Sequence, residues 1–301
     1  MRSLSHRGSR APARAARASE PLAALVASTA RRLSRARLHY GHGTDNARDE
    51  AAALIAHVLG PRGRRPSAQA LARLEQLVQR RIRERVPLVY LTRRCWFAGM
   101  AMYVDERVLI PRSPIAELIE QRFSPWVRAG QVRRVLDLGT GSGCIAVACA
   151  RAFPRAHVDA IDVSEAALQV ARINIRRHRL QGRVRARRSD HFSRLGRARY
   201  DIIVSNPPYV GERELRGLPD EYRHEPRLAL AAGQDGLDSV RIILRDAAAH
   251  LNPGGILIVE VGNTEAALRR AFPQLPFVWL AFRRGGGGVF LLEGARLQEI
   301  G

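Results

Sequence analysis

The chain has 301 residues, of which 46% are hydrophobic, so it can form one large domain with a sizeable core and a smaller domain beside it. No run approaches the roughly 18 consecutive apolar residues that a membrane-spanning helix needs, so we expect no membrane segment. The charge is lopsided: 50 basic residues, all arginine, stand against 28 acidic ones, for a net charge of +22.

This arginine content has two explanations. The arginine guanidinium forms bidentate hydrogen bonds with phosphates and stacks on bases, so an arginine-rich surface is expected to contact RNA. The complete absence of lysine is also typical of codon drift in a GC-rich genome, and we favour drift for that absence. In either case the net charge raises nonspecific affinity for nucleic acid.

The cysteines and histidines predict neither disulfides nor a metal site. Cys95, Cys144 and Cys149 lack C-x-x-C spacing, and their small odd number indicates a reducing compartment, the cytoplasm. His39 and His42 form an H-x-x-H within a turn broken by glycines, without further ligands at a suitable spacing. We therefore expect no bound metal.

Residues 1–20 contain five arginines and no acid before Glu20. Their apolar surface is too small for its burial to offset the conformational entropy that is lost when a chain becomes ordered. We predict a disordered tail there, although an organelle transit peptide, an arm that touches RNA or an overextended start has the same composition. Residues 21–92 then predict a small helical domain. Its apolar residues recur at helical spacing over residues 21–38, 45–59 and 67–85.

Residues 93–130 predict a β-hairpin and a linker. The alternation of aromatic and small residues over 95–105 is typical of a hairpin. Residues 108–114 predict a short strand ended by proline, and residues 115–123 predict a helix. A second, larger domain is expected from residue 131 to 301.

That domain opens with a buried strand, the glycine turn of residues 137–143 and a helix. A G-x-G-x-G turn lets the backbone approach a ligand closely, because glycine has no Cβ and accepts positive φ. The turn lacks the G-x-G-x-x-G spacing of dinucleotide sites, and Asp137 would repel a pyrophosphate but suit a cationic amino group. The predicted cofactor-binding residues of this turn are Asp137, Gly139, Thr140, Gly141, Ser142 and Gly143.

Two acids follow the next two predicted strands. Asp162 ends the strand of residues 158–162, where a carboxylate can hold both hydroxyls of a ribose. Asp190 and His191 follow the strand of residues 184–188, where an adenine would lie. Helix capping is the alternative role for each acid.

The strand at residues 201–205 stops at Asn206, Pro207, Pro208 and Tyr209. The prolines lack an N–H and fix φ, so the strand ends in a stiff corner lined by carbonyls. The Asn206 side chain can accept a hydrogen bond from an NH2 group, and the Tyr209 ring can cover a planar ligand. A simple turn between a strand and a loop is the alternative.

Strands and helices alternate through this domain, which predicts an α/β fold with a parallel sheet. Because ligands bind outside the carboxyl ends of such strands, the glycine turn, Asp162, Asp190 and Asn206 should converge on one crevice. A closing antiparallel pair is expected over residues 278–282 and 289–292. Together these residues predict S-adenosylmethionine-dependent methylation of an amide or amino nitrogen.

The sequence also resembles the HemK/Prm protein glutamine methyltransferases. The motifs shared with that family are DLGTGSG at 137–143, NPPY at 206–209 and H-E-P…G-x-D-G-L at 224–237. The PrmB branch is matched by YGHGTDN at 40–46, WF-x-G at 96–99, YVDERVLIPRSPI at 103–115 and EYRHEP at 221–226. One departure is His191, where the release-factor branch usually has tryptophan.

The resemblance implies a seven-stranded, Rossmann-like catalytic domain that binds S-adenosylmethionine, a helical N-terminal domain that recognises the substrate, and a hairpin linker. It implies a glutamine of ribosomal protein uL3, the third large-subunit protein, as substrate, a role in ribosome assembly, and contact with rRNA through the arginine-rich surface. Asn206 and the Pro207 carbonyl would take the two amide hydrogens, and Pro208 and Tyr209 would complete the substrate site. No general base is implied.

Two other functions use the same features. A nucleic-acid methyltransferase would grip an exocyclic amine at the same corner after base flipping, and the net charge favours it. A noncatalytic RNA-binding assembly module that kept the fold is the second alternative, which an intact glycine turn argues against.

Overall fold

The computed structural model describes residues 13–60 and 66–298, and the chain divides after Thr92 into two compact units. The described part of the first unit contains four α-helices: α1 (Ala13–Arg35), α2 (Ala47–Leu59), α3 (Ala68–Gln79) and α4 (Leu88–Thr92). Helix α1 begins inside the predicted tail, because alanine and arginine are strong helix formers. The disordered tail over residues 1–20 stays a prediction, and residues 1–12 lie outside the described residues.

A buried ion pair connects α2 with the end of α3 in this first unit. Helix α3 continues as a π-helical turn (Arg80–Glu84), and Arg81 in that turn donates to Glu50 of α2 at 2.5 Å. The exposed fractions of these two side chains are 1% and 2%. Arg81 also donates to the His39 carbonyl at 2.8 Å, so it fastens the loop between α1 and α2 as well.

The second unit begins with the predicted hairpin, formed by β1 (Cys95–Phe97) and β2 (Met100–Met102) in antiparallel pairing. Helix α5 (Ile115–Glu120) follows. The strand predicted over residues 108–114 is wrong. These residues form no strand, because the backbone N–H of Ile110 donates to the Glu225 carboxylate at 3.0 Å instead of to a neighbouring strand.

A seven-stranded sheet forms the centre of the second unit. Its strands are β3 (Arg134–Leu138), β4 (His157–Asp162), β5 (Val184–Arg188), β6 (Tyr200–Ser205), β7 (Leu251–Glu260), β8 (Val278–Trp279) and β9 (Val289–Glu293). The spatial order is β5-β4-β3-β6-β7-β9-β8. The first five in that order are parallel, whereas β9 runs antiparallel to both β7 and β8. The predicted α/β sheet and its closing antiparallel pair are confirmed.

Helices cover both faces of this sheet. They are α6 (Cys144–Ala152), α7 (Glu165–Arg177), α8 (Glu212–Leu215), α9 (Asp238–Asp246), α10 (Glu265–Ala271) and α11 (Gly294–Gln298). Successive residues of a strand point to opposite faces, so Val135 packs in one hydrophobic cluster and Leu136 in the other. Among the described residues no helix combines the length and apolar character needed to cross a membrane.

Candidate active site

A cavity of about 410 Å³ opens beyond the carboxyl ends of β3, β4 and β6. Its volume is in the range of small-molecule and cofactor sites. Most of the predicted site residues line it: Gly139, Thr140, Gly141, Ser142, Asp162, Asp190, His191, Asn206, Pro207 and Pro208. The structure therefore brings together the glycine turn, both acids and the Asn-Pro-Pro corner, as the parallel sheet predicts. Asp137, Gly143 and Tyr209 lie behind this lining.

The glycine turn presents backbone atoms, and no side chains from Gly139 or Gly141, to the cavity. Gly139 and Gly141 have φ values of +75° and +53°, and a Cβ built on either would project into open space. Gly143 has a different purpose, because a Cβ there would come within 3.1 Å of Ala171 on α7. Two glycines thus leave room for a ligand, and the third lets the turn pack on the neighbouring helix.

Asp137 supports the turn from behind. It is fully buried, and its Oδ2 accepts hydrogen bonds from Thr140 Oγ1 at 2.5 Å and from the Ala146 N–H at 2.9 Å. Its Oδ1 is buried without a partner among the described residues. Burial raises the pKa of this carboxyl to about 7. Asp137 thus supports the turn through Oδ2, and its predicted contact with a ligand amino group stays a prediction.

Asp162 lies on the cavity wall at the end of β4. Its Oδ2 accepts from the Gly141 N–H and its Oδ1 from the Ser164 N–H, each at 2.9 Å. Ser164 is the residue that caps α7, by accepting from Ala167 N, so Asp162 is not the helix cap. Each carboxylate oxygen can accept a further bond, and burial raises the pKa of Asp162.

Asp190 and His191 form a short polar chain at the other side of the cavity. The His191 ring contacts Asp190 Oδ1 through Nδ1 and Ser239 Oγ through Nε2, both at 2.7 Å. His191 also has a φ of +43°, which is unusual for a residue with a Cβ. Its side chain is 20% exposed, against 72% for Asp190, so the imidazole forms the inner wall and Asp190 holds it in place.

The corner presents a buried acceptor. The Asn206 side-chain oxygen is buried and has no hydrogen-bond partner among the described residues. An unsatisfied buried polar atom costs about 1–3 kcal/mol, so such atoms are rare in native structures unless a ligand completes them. Pro207 and Pro208 extend the same wall.

Tyr209 is fixed beside the corner. Its hydroxyl donates to Glu260 Oε1 at 3.1 Å, and its ring packs on Gly262, where a Cβ would come within 2.6 Å of the ring. Glu260 Oε2 also accepts from Ser113 Oγ at 2.5 Å. Burial raises the pKa of both the Tyr209 hydroxyl and the Glu260 carboxyl. Glu260 thus joins the corner to the linker, a role that sequence reasoning missed.

A second buried acid makes a similar connection. Glu225 accepts from Arg112 Nη1 at 2.8 and 3.1 Å as well as from the Ile110 N–H, and the Arg112 guanidinium lies over the Tyr222 ring. The linker residues 110–112 are therefore bound to the loop that follows the corner. The signal available in the sequence was the EYRHEP motif, whose role could not be assigned without the contact.

Two apolar residues on the cavity wall were also missed. Val163, directly after Asp162, and Leu228 are 41% and 60% exposed, high values for large apolar side chains, and both line the cavity. A planar ring would cover such exposed apolar surface. Over the described residues, no group of three or more His, Cys, Asp or Glu is arranged to hold a metal.

Comparison with known proteins identifies the family. A ribosomal protein uL3 glutamine methyltransferase of Francisella tularensis subsp. tularensis is 46% identical over 264 residues, covering 85% of this chain and 84% of that protein. The protein of the same name from Bordetella pertussis is 45% identical over 283 residues, covering 91% and 95%. The chain belongs to this glutamine methyltransferase family. It is therefore an enzyme, as the sequence predicts.

Two further matches agree with this methyltransferase family. Residues 120–217 match the family described as the methyltransferase small domain, a stretch that contains the glycine turn and the corner. The crystal structure of the hMettl16 catalytic domain in complex with MAT2A 3'UTR hairpin 6 superposes with a TM-score of 0.52 at 17% identity, covering 75% of this chain and 81% of that one. That second likeness concerns the fold alone.

Proposed function

We propose that this chain transfers the methyl group of S-adenosylmethionine to the side-chain amide nitrogen of a glutamine in ribosomal protein uL3. The observation that carries the proposal is the buried, unpartnered oxygen of Asn206 on the wall of the cavity that the glycine turn also lines. A primary amide has two N–H groups to donate, and Asn206 offers the acceptor that one of them needs.

The cavity residues suit S-adenosylmethionine. Gly139 and Gly141 leave open space where side chains would otherwise project, and Asp162 has lone pairs for two ribose hydroxyls. The exposed surface of Val163 and the held imidazole of His191 can flank an adenine. When bound, S-adenosylmethionine supplies an electrophilic methyl group on a sulfonium.

The chain's own task is to orient a poor nucleophile. The lone pair of an amide nitrogen is delocalised into its carbonyl, so the rate depends on holding that nitrogen in line with the methyl group. Asn206 Oδ1 and the Pro207 carbonyl would accept the two amide hydrogens, and the Tyr209 ring would lie beside the amide. Such positioning can contribute roughly 7–11 kcal/mol. The nitrogen becomes acidic on methylation and can lose its proton to these acceptors or to water, so no general base is assigned.

The choice of uL3 rests on the names of the two relatives, each aligned over more than four-fifths of its length. We propose the assembling large subunit as the setting, because its rRNA would attract the positively charged enzyme. The cytoplasm is the proposed compartment, in keeping with three buried cysteines that form no disulfide.

The test is transfer of labelled methyl from S-adenosylmethionine to undermethylated large-subunit particles and to isolated uL3. Products are separated into protein and RNA, and the labelled protein is digested and sequenced by mass spectrometry. We expect label on one glutamine of uL3. Label in RNA would replace the proposal with nucleic-acid methylation, and label on another protein would refute the choice of uL3.

A further inference from the structure

The positive charge of the chain is concentrated in one segment. Residues 166–200 contain eleven arginines and a single acidic residue, Asp190, so this segment carries +10 of the net charge of +22. It comprises most of α7, the strand β5 and the loop that leads to β6. We call the exposed arginines of this segment the basic face.

The basic face is not neutralised by neighbouring carboxylates. Among the described residues, Arg172 is the only arginine of the segment that forms an ion pair, with Glu165. Elsewhere in the same unit arginines such as Arg112 and Arg241 lie against carboxylates. Codon drift explains why these residues are arginine rather than lysine, but it does not explain why unpaired positive charge collects at one place.

The location of the face makes it accessible. Strand β5 is the edge strand of the sheet, and the segment continues from the last turn of α7 to the loop after β5. Arg176, Arg179, Arg185 and Arg197 are exposed, and their side chains make no hydrogen bond with a described residue. Charges on an edge strand can serve to block strand pairing, but that role requires them on β5 alone. The continuation onto α7 and the loop points to a ligand.

The chemistry of the face selects the phosphate backbone. Arginine forks bind phosphates bidentately, and contacts of this kind position a protein on a nucleic acid without reading its sequence. Phe192 and Tyr200 are buried, His178 contacts the Ala101 carbonyl and His191 lines the cavity, so the basic face itself offers no aromatic platform on which unpaired bases could stack. Base-paired RNA, which presents mainly its phosphates, fits better than a single strand.

We propose that the basic face is a docking surface for the phosphate backbone of structured RNA, separate from the methyl-transfer cavity. Its identification with rRNA rests on the proposed function, whereas RNA binding by this face does not. The same segment supplies Asp190 and His191 to the cavity wall, so an RNA helix held there would lie beside the cavity and bring proteins bound to that RNA near it.

The test measures binding of the full chain to a labelled RNA duplex of arbitrary sequence by fluorescence anisotropy over a range of salt concentrations. The variant Arg176→Gln/Arg179→Gln/Arg185→Gln/Arg197→Gln should bind about tenfold or more weakly near 0.15 M salt, and the slope of log K against log salt should fall by about one unit per lost phosphate contact. The matched control replaces Arg122, Arg128, Arg270 and Arg283, exposed arginines outside the segment, by glutamine. It changes the net charge equally.

An equal loss in both variants would show that total charge rather than this face binds RNA, and would overturn the proposal. Unchanged affinity in the basic-face variant would overturn it as well. Tighter binding of this face to phosphatidylserine vesicles than to the duplex would replace RNA by a membrane surface. Methyl transfer to isolated uL3 separates this proposal from the previous one, because the basic-face variant should retain it while Asn206→Ala loses it but still binds RNA.

Discussion

Replacing Asn206 by alanine removes a buried acceptor while leaving the rest of the cavity wall in place. The acceptor has no partner among the described residues, so no internal hydrogen bond is broken and the fold should keep its stability. The loss should fall on the reaction, where the nitrogen gains positive charge and its N–H groups become stronger donors. Removing one preorganised polar contact to a developing charge typically costs about 10²–10³ in kcat, or about 2.7–4 kcal/mol, and we expect a loss of this size.

The assay is turnover at saturating S-adenosylmethionine and saturating uL3, so that weaker binding of either does not enter the comparison. Asn263→Ala is the matched control, because Asn263 is exposed, lies outside the cavity lining and bonds to Glu214 at 3.1 Å. The control should turn over normally. If Asn206→Ala kept its kcat within about threefold of the unmodified chain, the amide would not depend on this acceptor and the reasoning would be refuted.

Three further changes test the structure elsewhere. Glu50→Ala leaves the buried Arg81 guanidinium without this carboxylate, so the free energy of unfolding measured in urea should fall by about 3–5 kcal/mol. The exposed control Glu75→Ala should lower it by less than about 1 kcal/mol, and equal losses in the two variants would contradict the prediction. The Asp137 carboxyl binds its proton more tightly in the folded state, so the free energy of unfolding should fall as pH rises from 3.8 to about 7. In Asp137→Asn this dependence on pH should be weaker, and an unchanged dependence would contradict the prediction. Glu260→Gln replaces one of the two carboxylate oxygens, which accept from Ser113 and Tyr209, by an NH2 donor. The KM for uL3 should rise severalfold while the affinity for S-adenosylmethionine stays unchanged. A normal KM would show that the connection between Tyr209 and the linker does not shape the substrate site.

The elements of the sheet could be predicted because local sequence determines them. Buried parallel strands are near-continuous apolar runs, and the strand predicted at residues 201–205 is β6 without its first residue, Tyr200. The end of the strand at Asn206 could be predicted equally well, because the prolines that follow it end a strand in any surroundings. The carboxyl ends of parallel strands lie at the same edge of the sheet, so most residues that line the cavity could be predicted from the order of the strands and helices along the chain.

What the sequence could not supply are contacts between distant segments. Glu225 bonds Arg112, and Glu260 bonds Ser113, across more than a hundred residues in each case. The sequence around these acids does not show which distant residue each of them meets, and the segment before α5 was therefore predicted as a strand rather than as a loop held by carboxylates. The hydrogen bonds that Asp137 accepts from Thr140 and from the Ala146 N–H could not be predicted either, because the sequence pattern does not show which groups a buried carboxylate meets.

The register of the sheet explains why the cavity has its dimensions. Leu138 pairs with Ile161 on one side and with Ser205 on the other, so the next residue of each strand, Gly139 or Asp162 or Asn206, follows the same row. Neighbouring strands lie about 4.8 Å apart, so the backbones at Asp162 and Asn206 are about 10 Å apart with the glycine turn between them. The Ser205 hydroxyl donates to the Leu138 carbonyl at 2.7 Å and reinforces this alignment. A slip of one residue would shift Asn206 out of this row and turn the side chains of β6 to the other face of the sheet, so the hydrogen-bonded register, rather than any loop, sets the spacing of Asp162, the glycine turn and Asn206.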